Sequence, residues 1–135
     1  MLQKLNTKRG GFTLVEIMIV VAIIALLASI AVPNFLRSRK RSQATQVLED
    51  LRLIDAAVDQ YAIENNKKVG EDVLWVDVQK YLKTGTRLET STGKDILGGT
   101  FTAPFKVDTI PKVPTTTFNA LSDVAPTDFW GPHKL

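Results

Sequence analysis

The chain has 135 residues, 44% of them hydrophobic, no cysteine and a formal net charge of +3. Lacking cysteine, it has no disulfide, no thiolate metal ligand and no cysteine nucleophile, and at this length it is one modest domain with a thin core. The positive charge is no nucleic-acid signature: residues 1–11 hold Lys4, Lys8 and Arg9 and no acid, and without those three the rest of the 17 Lys and Arg equal the 14 Asp and Glu.

Phe12 to Leu36 reads FTLVEIMIVVAIIALLASIAVPNFL, with Glu16 as its one ionisable side chain. At about 1.5 Å per residue, some twenty such residues cross a bilayer core of about 30 Å. A buried core helix is a poor alternative, because so small a chain cannot surround a helix that is apolar on every side. Glu16 is the oddity, since a carboxylate in the bilayer is costly unless neutralised or paired. It either lies at the membrane boundary or meets a cation on another copy of the chain. Arg37-Ser38-Arg39-Lys40-Arg41 follows the apolar run directly and reads as an interfacial anchor. No aromatic residues interleave with it, so nucleic-acid binding is not expected.

The stretch Lys8-Arg9-Gly10-Gly11-Phe12-Thr13-Leu14-Val15-Glu16 resembles the type III signal sequence of type IV pilins and type II secretion pseudopilins. The resemblance covers the leader and the apolar helix, about the first third of the chain. It implies cleavage between Gly11 and Phe12 by a membrane-embedded prepilin peptidase, with methylation of the new Phe12 amine by the same enzyme. Lys8 and Arg9 then act as the basic anchor that holds the leader in the cytoplasm. Glu16 becomes the fifth mature residue, the glutamate that pairs with the Phe12 amine of a neighbour and sets the stagger of assembly. Two glycines suit an extended backbone in a narrow protease cleft. An ordinary secretory signal would have a shorter apolar region; Ser29-Ile30-Ala31 offers such a cleavage site, but the run is too long and carries a glutamate. Basic residues flank both ends of the span, so charge alone leaves its orientation open; the resemblance implies N-terminus inside and bulk outside.

Pro33 lacks an N–H and crowds the carbonyl four residues back, so a kink or local melting of the helix is expected there. Pilin-like proteins carry a proline in this region, and the plainer alternative is that it marks the membrane exit. Beyond it, Ala44, Val47, Leu51, Ile54, Val58 and Tyr61 recur at spacings of three and four, one apolar stripe. Glu49, Asp50, Arg52, Asp55, Asp59 and Gln60 lie between them as a solvated face. The helix should end near Asn65-Asn66.

The remainder reads as small elements. Asp77 is the expected N-cap of a short helix over 78–83 stopped by Gly85, with Trp75 stapling it to the core. Arg87–Thr90, Asp95–Thr102 and Phe105–Ile110 are the expected strands. Phe118–Leu121 is a possible short helix, and Phe129 and Trp130 should pack on the sheet. His133, the sole histidine, sits in the last three residues and is expected at the surface. No nucleophile has a base beside it and no Walker-type loop occurs, so no enzyme is expected.

The expected fold is α+β: a long N-terminal helix, half transmembrane and half amphipathic, carrying a small antiparallel sheet. Its parts are a leader (1–11), a transmembrane and filament-core helix (12–36), its amphipathic continuation (37–66) and a C-terminal α+β domain (67–135). Pseudopilins often bind calcium in loops near the sheet, so the resemblance makes Asp95, Asp108, Asp123 and Asp128 candidate oxygen donors; turn and capping roles are the plainer alternative. Many type IV pilins close a C-terminal loop with a disulfide, which this chain cannot do. The resemblance therefore favours a pseudopilus subunit of a type II secretion-like system, in the bacterial inner membrane with a periplasmic domain. It would assemble with copies of itself, with other pilins or pseudopilins and with an inner-membrane platform. A type IV pilus subunit for adhesion, motility or DNA uptake is the alternative, and a signal-anchored extracytoplasmic binding protein is the unrelated one.

Overall fold

The structure, a computed structural model, describes residues 10–135. It divides into two compact units, one ending at Leu36 and one covering Arg37–Leu135. The helix α1, Leu14–Glu64, contributes to both.

In the first unit the helix is bare. From Leu14 to Leu36 no side chain is buried, and Leu14, Ile23, Leu27, Ile30 and Phe35 each keep more than half of their surface exposed. An apolar side chain of this size left in water forgoes roughly 1.5–3 kcal/mol, so this surface requires lipid or protein around it. Among the described residues, α1 is the one helix long and apolar enough to cross a membrane. Pro33 lies inside it, and the helix is neither ended nor melted there. Ser29, whose carbonyl loses its partner at Pro33, turns its hydroxyl to the Leu26 carbonyl at 2.6 Å.

The second unit is built on the other half of α1. Ala44, Val47, Leu51, Ile54 and Val58 are buried as the stripe requires, and Tyr61 is partly buried. Asp50 departs from the expected solvated face: it is buried and ion-paired with Arg87. The helix stops at Glu64, and Asn66, at φ 50°, turns the chain. An asparagine tolerates that left-handed geometry better than most residues.

The sheet has two short antiparallel strands, β1 (Asp72–Val73) and β2 (Phe105–Lys106), with Asp72 opposite Lys106 and Val73 opposite Phe105. Only the start of the expected strand Phe105–Ile110 pairs, because Asp108 takes φ 65° and turns the chain. Its partner lies at Asp72–Val73, which is too short to show alternation. Arg87–Thr90, expected as a strand, is a helical turn, α3. Thr86 caps it, its hydroxyl oxygen accepting from the Glu89 N–H, while the Glu89 carboxylate accepts from the Gly85 N–H. The expected strand Asp95–Thr102 is a tight turn closed by a single bridge, Lys94 to Thr100.

The helix expected at 78–83 starts earlier, as α2 (Trp75–Gln79), with Leu74 at the N-cap position. Asp77 therefore lies inside its first turn, accepting from Lys80 at 3.2 Å, and does not cap it. Trp75 is the first helical residue, and its ring packs 6.3 Å from that of Phe105. The helix α4 (Thr115–Leu121) contains the expected Phe118–Leu121. The chain ends in 3-10 turns over Thr127–His133, broken at Gly131 by φ 53°. Trp130 is fully buried there, its indole N–H donating to the Ala125 carbonyl. His133 is buried too, against the expectation of a surface histidine: its Nδ1 lies 2.8 Å from the Pro111 carbonyl. The backbone explains it, since the Val113 N–H bonds the His133 carbonyl at 2.9 Å and pins the tail.

Candidate functional site

Gly10, Gly11 and Phe12 precede α1 as exposed, non-helical chain. A Cβ added at Gly10 or Gly11 would meet nothing within 4 Å, and neither glycine takes a left-handed backbone. Among the described residues nothing in the fold asks for glycine at either position. Phe12 is 86% exposed. Lys8 and Arg9 lie outside the described residues.

Thr13 stands at the N-cap of α1, and a helix start leaves its first N–H groups without intrahelical partners. Two of those needs are met reciprocally. The Glu16 carboxylate accepts from the Thr13 N–H at 2.8 Å, and the Thr13 hydroxyl oxygen accepts from the Glu16 N–H at 3.2 Å. This is a capping box, built from Thr-Leu-Val-Glu at the spacing such a box needs. The carboxylate also sits where the helix macrodipole is positive. Sequence reasoning chose Glu16 for its charge and missed Thr13, although Thr-x-x-Glu before an apolar run is the signal that finds it. Consequently Glu16 points back at the peptide that follows Phe12, one residue from the nitrogen that cleavage after Gly11 would free.

The four aspartates named as candidate calcium donors have other surroundings. Among the described residues no group of three or more His, Cys, Asp or Glu side chains is arranged to hold a metal ion. Asp95 is buried and already engaged: one oxygen accepts from the Leu97 and Gly99 N–H groups at 2.8 Å, and the other takes the Thr117 hydroxyl. A Cβ at Gly99 would come within 2.2 Å of the Thr117 hydroxyl oxygen, so this close approach needs glycine. Asp108 is an exposed turn residue at φ 65°, and Asp128 lies in the first turn of the 3-10 segment. Asp123 receives both of its bonds from Lys40, at 3.0 and 3.1 Å, and that hydrogen bond holds its carboxyl below the usual aspartate range.

The strongest buried electrostatics lies elsewhere. Burial pushes the Asp50 carboxyl up, while the adjacent Arg87 guanidinium pulls it back. Arg87 also donates to the Lys94 carbonyl at 3.2 Å, so this pair ties α1, α3 and the Lys94 turn together. It is a structural fastening within the second unit.

Residues 6–32 match a family model described as the prokaryotic N-terminal methylation motif. Over 60 residues the chain is 37% identical to type II secretion system core protein G of Klebsiella pneumoniae, covering 44% of this chain and 43% of that protein. The core protein G of Vibrio cholerae is 37% identical over 59 residues, covering 44% and 40%. The type IV major pilin protein PilA of Myxococcus xanthus is 39% identical over 64 residues, covering 47% and 29%. The chain thus spans less than half the length of these relatives. No solved structure matches it. A long N-terminal helix with a small antiparallel sheet is a pilin-like α+β arrangement, and the N-terminal segment, which carries the methylation motif, is homologous to type II secretion core protein G and to the type IV pilin PilA.

Proposed function

We propose that this chain is a structural subunit of a pseudopilus in a type II secretion-like system, and that it works by assembly and not by catalysis. A prepilin peptidase cuts between Gly11 and Phe12 and methylates the Phe12 amine. The mature subunit waits in the inner membrane with Arg37–Leu135 in the periplasm, then leaves the bilayer as its apolar helix packs against those of neighbouring subunits on an inner-membrane platform.

The observation that carries this reading is the junction of three features at the start of α1. Two glycines meet no packing demand among the described residues, an exposed Phe12 follows, and Glu16 folds back toward the Phe12–Thr13 peptide. Glycines without such a demand suit recognition by another molecule. The bare apolar surface of Leu14–Leu36 supports the rest, because lipid and neighbouring helices cover it equally well. The transfer therefore exchanges one apolar contact for another and leaves Glu16 as the costly group. Pairing that carboxylate with an ammonium of Phe12 lowers the cost only in the right stagger, which selects it. The motif match over residues 6–32 supports leader anchoring by Lys8 and Arg9.

The relative among type IV major pilins favours a second reading, a type IV pilus subunit. Both use the same N-terminal helix, and gene deletion separates them: loss of secreted proteins indicates the first, loss of surface fibres the second. The intact mass of the protein from its native membrane tests what the two readings share. A species beginning at Phe12 with one added methyl group is expected. A species beginning at Val32, or an uncut chain beside an active peptidase, would remove the filament reading.

A further inference from the structure

We propose that Arg37, Arg39 and Arg41 bind the phosphate groups of anionic phospholipids in the leaflet through which α1 leaves the bilayer. Leu36 is the last residue of the exposed apolar run and Arg37 is the next, on the same continuous helix. A cation one residue past a lipid-facing run lies at headgroup depth. Of the four cations in the cluster, Lys40 alone is spoken for, by Asp123 at 3.0 Å. Arg37, Arg39 and Arg41 are exposed, and among the described residues none of them has an ion-pair partner.

Arg37 and Arg41 are four apart and so share a face of α1. With Ser38, Asp123 and Val124 they line an open notch. The one acid in that notch is already bridged by Lys40, so its walls offer two guanidinium groups outside that bridge and a hydroxyl. Guanidinium forks match phosphate oxygens in pairs, which a lysine cluster would not. The notch has no aromatic side chain on which a base could stack, which favours a lipid headgroup over nucleic acid. In the membrane this collar holds the subunit at a fixed depth, and extraction must trade the phosphates for other partners.

The proposal rests on the membrane reading of the span but not on filament assembly. Its test is the full chain in phosphatidylcholine nanodiscs carrying spin-labelled phosphatidylglycerol or spin-labelled phosphatidylcholine, with the immobilised lipid fraction read by electron paramagnetic resonance. The wild type is expected to prefer phosphatidylglycerol, with about a fivefold contribution per engaged arginine at low salt. The variant Arg37→Gln/Arg39→Gln/Arg41→Gln is expected to lose most of that preference. The leader variant Lys8→Gln/Arg9→Gln, tested alongside, is expected to keep it. Equal preference in wild type and collar variant, or loss in the leader variant alone, would overturn the proposal. So would binding of a labelled DNA duplex through the same arginines with no lipid preference. A chain that fails to enter the discs would instead remove the span itself.

Discussion

At the N-terminus of α1, one side chain has two separable jobs. Glu16 accepts a hydrogen bond from the Thr13 N–H, which any amide or carboxylate oxygen of that length can do, and it carries a charge, which only the carboxylate can. Glu16→Gln should therefore keep the cap, insert and be cleaved, yet fail to form filaments. Glu16→Ala should fail in both respects, with the first turn frayed by about 1 kcal/mol of lost capping. Helix content by circular dichroism separates the two variants, peptidase cleavage and filament yield by electron microscopy test the charge, and normal filaments from Glu16→Gln would remove the charge from the mechanism. A second residue-scale expectation concerns Asp50, whose carboxyl burial pushes up and Arg87 pulls down. Arg87→Met takes away the lowering influence, so the folded value rises further above the unfolded one. A carboxyl raised in this way costs nothing below the unfolded value and costs most once pH exceeds the folded value. The variant's deficit should thus grow as pH rises above the usual aspartate value. It should reach roughly 3 kcal/mol, the low end for a broken buried pair because Arg87 stays one-third exposed. Urea unfolding at several pH values checks this, and adding Asp50→Asn should abolish the slope. The charge of Glu16 was legible in the sequence, and its cap could have been read from Thr-x-x-Glu, but the Asp50–Arg87 pair was not. Helical spacing set Asp50 beside the stripe, and only the fold of α3 shows that Arg87 comes to meet it.

Among the elements, legibility followed length. The amphipathic part of α1 repeats its spacing often enough to be read directly: Ala44, Val47, Leu51, Ile54 and Val58 of the stripe are buried, with Asp50, Ala57 and Ala62 buried beside them. Alternation over four residues carries no such weight. Arg87–Thr90 alternates like a strand, yet Thr86 and Glu89 supply the same Thr-x-x-Glu signal that starts α1, and local capping decided the conformation. The sheet itself is two residues long on each side, below the length at which a period of two can be recognised. The same short elements hide the Asp95 turn, where one carboxylate serves backbone N–H groups that a strand would have paired. If capping governs α3, then Thr86→Ala should cost about 1 kcal/mol in a urea melt. Thr86→Ser, which keeps the acceptor, should cost little. Equal losses in the two variants would mean that the turn is held by Leu88 burial alone.

Across the whole molecule the buried residues are distributed in one way only: every buried side chain among the described residues lies between Ala44 and His133. The span from Leu14 to Leu36 buries none, and its apolar surface is an unmet demand on lipid or neighbours. The Lys40–Asp123 bridge, the Asp50–Arg87 pair and the pinned tail all fall within Arg37–Leu135 as well. That unit should consequently fold without the first 36 residues. A chain beginning at Arg37 is expected to be a soluble monomer by gel filtration and to unfold in a single transition by circular dichroism. Its stability rests on few large side chains, and Trp130 is the largest that is fully buried. Trp130→Ala should cost about 3–5 kcal/mol, most of what a core this thin can supply, and should leave the truncated chain largely unfolded. In the full-length protein the same substitution leaves the apolar helix intact, so insertion and leader cleavage should proceed while filaments fail to accumulate. Aggregation of the chain beginning at Arg37, or filaments of normal yield from Trp130→Ala, would show that the two units depend on each other in ways their separate packing does not require.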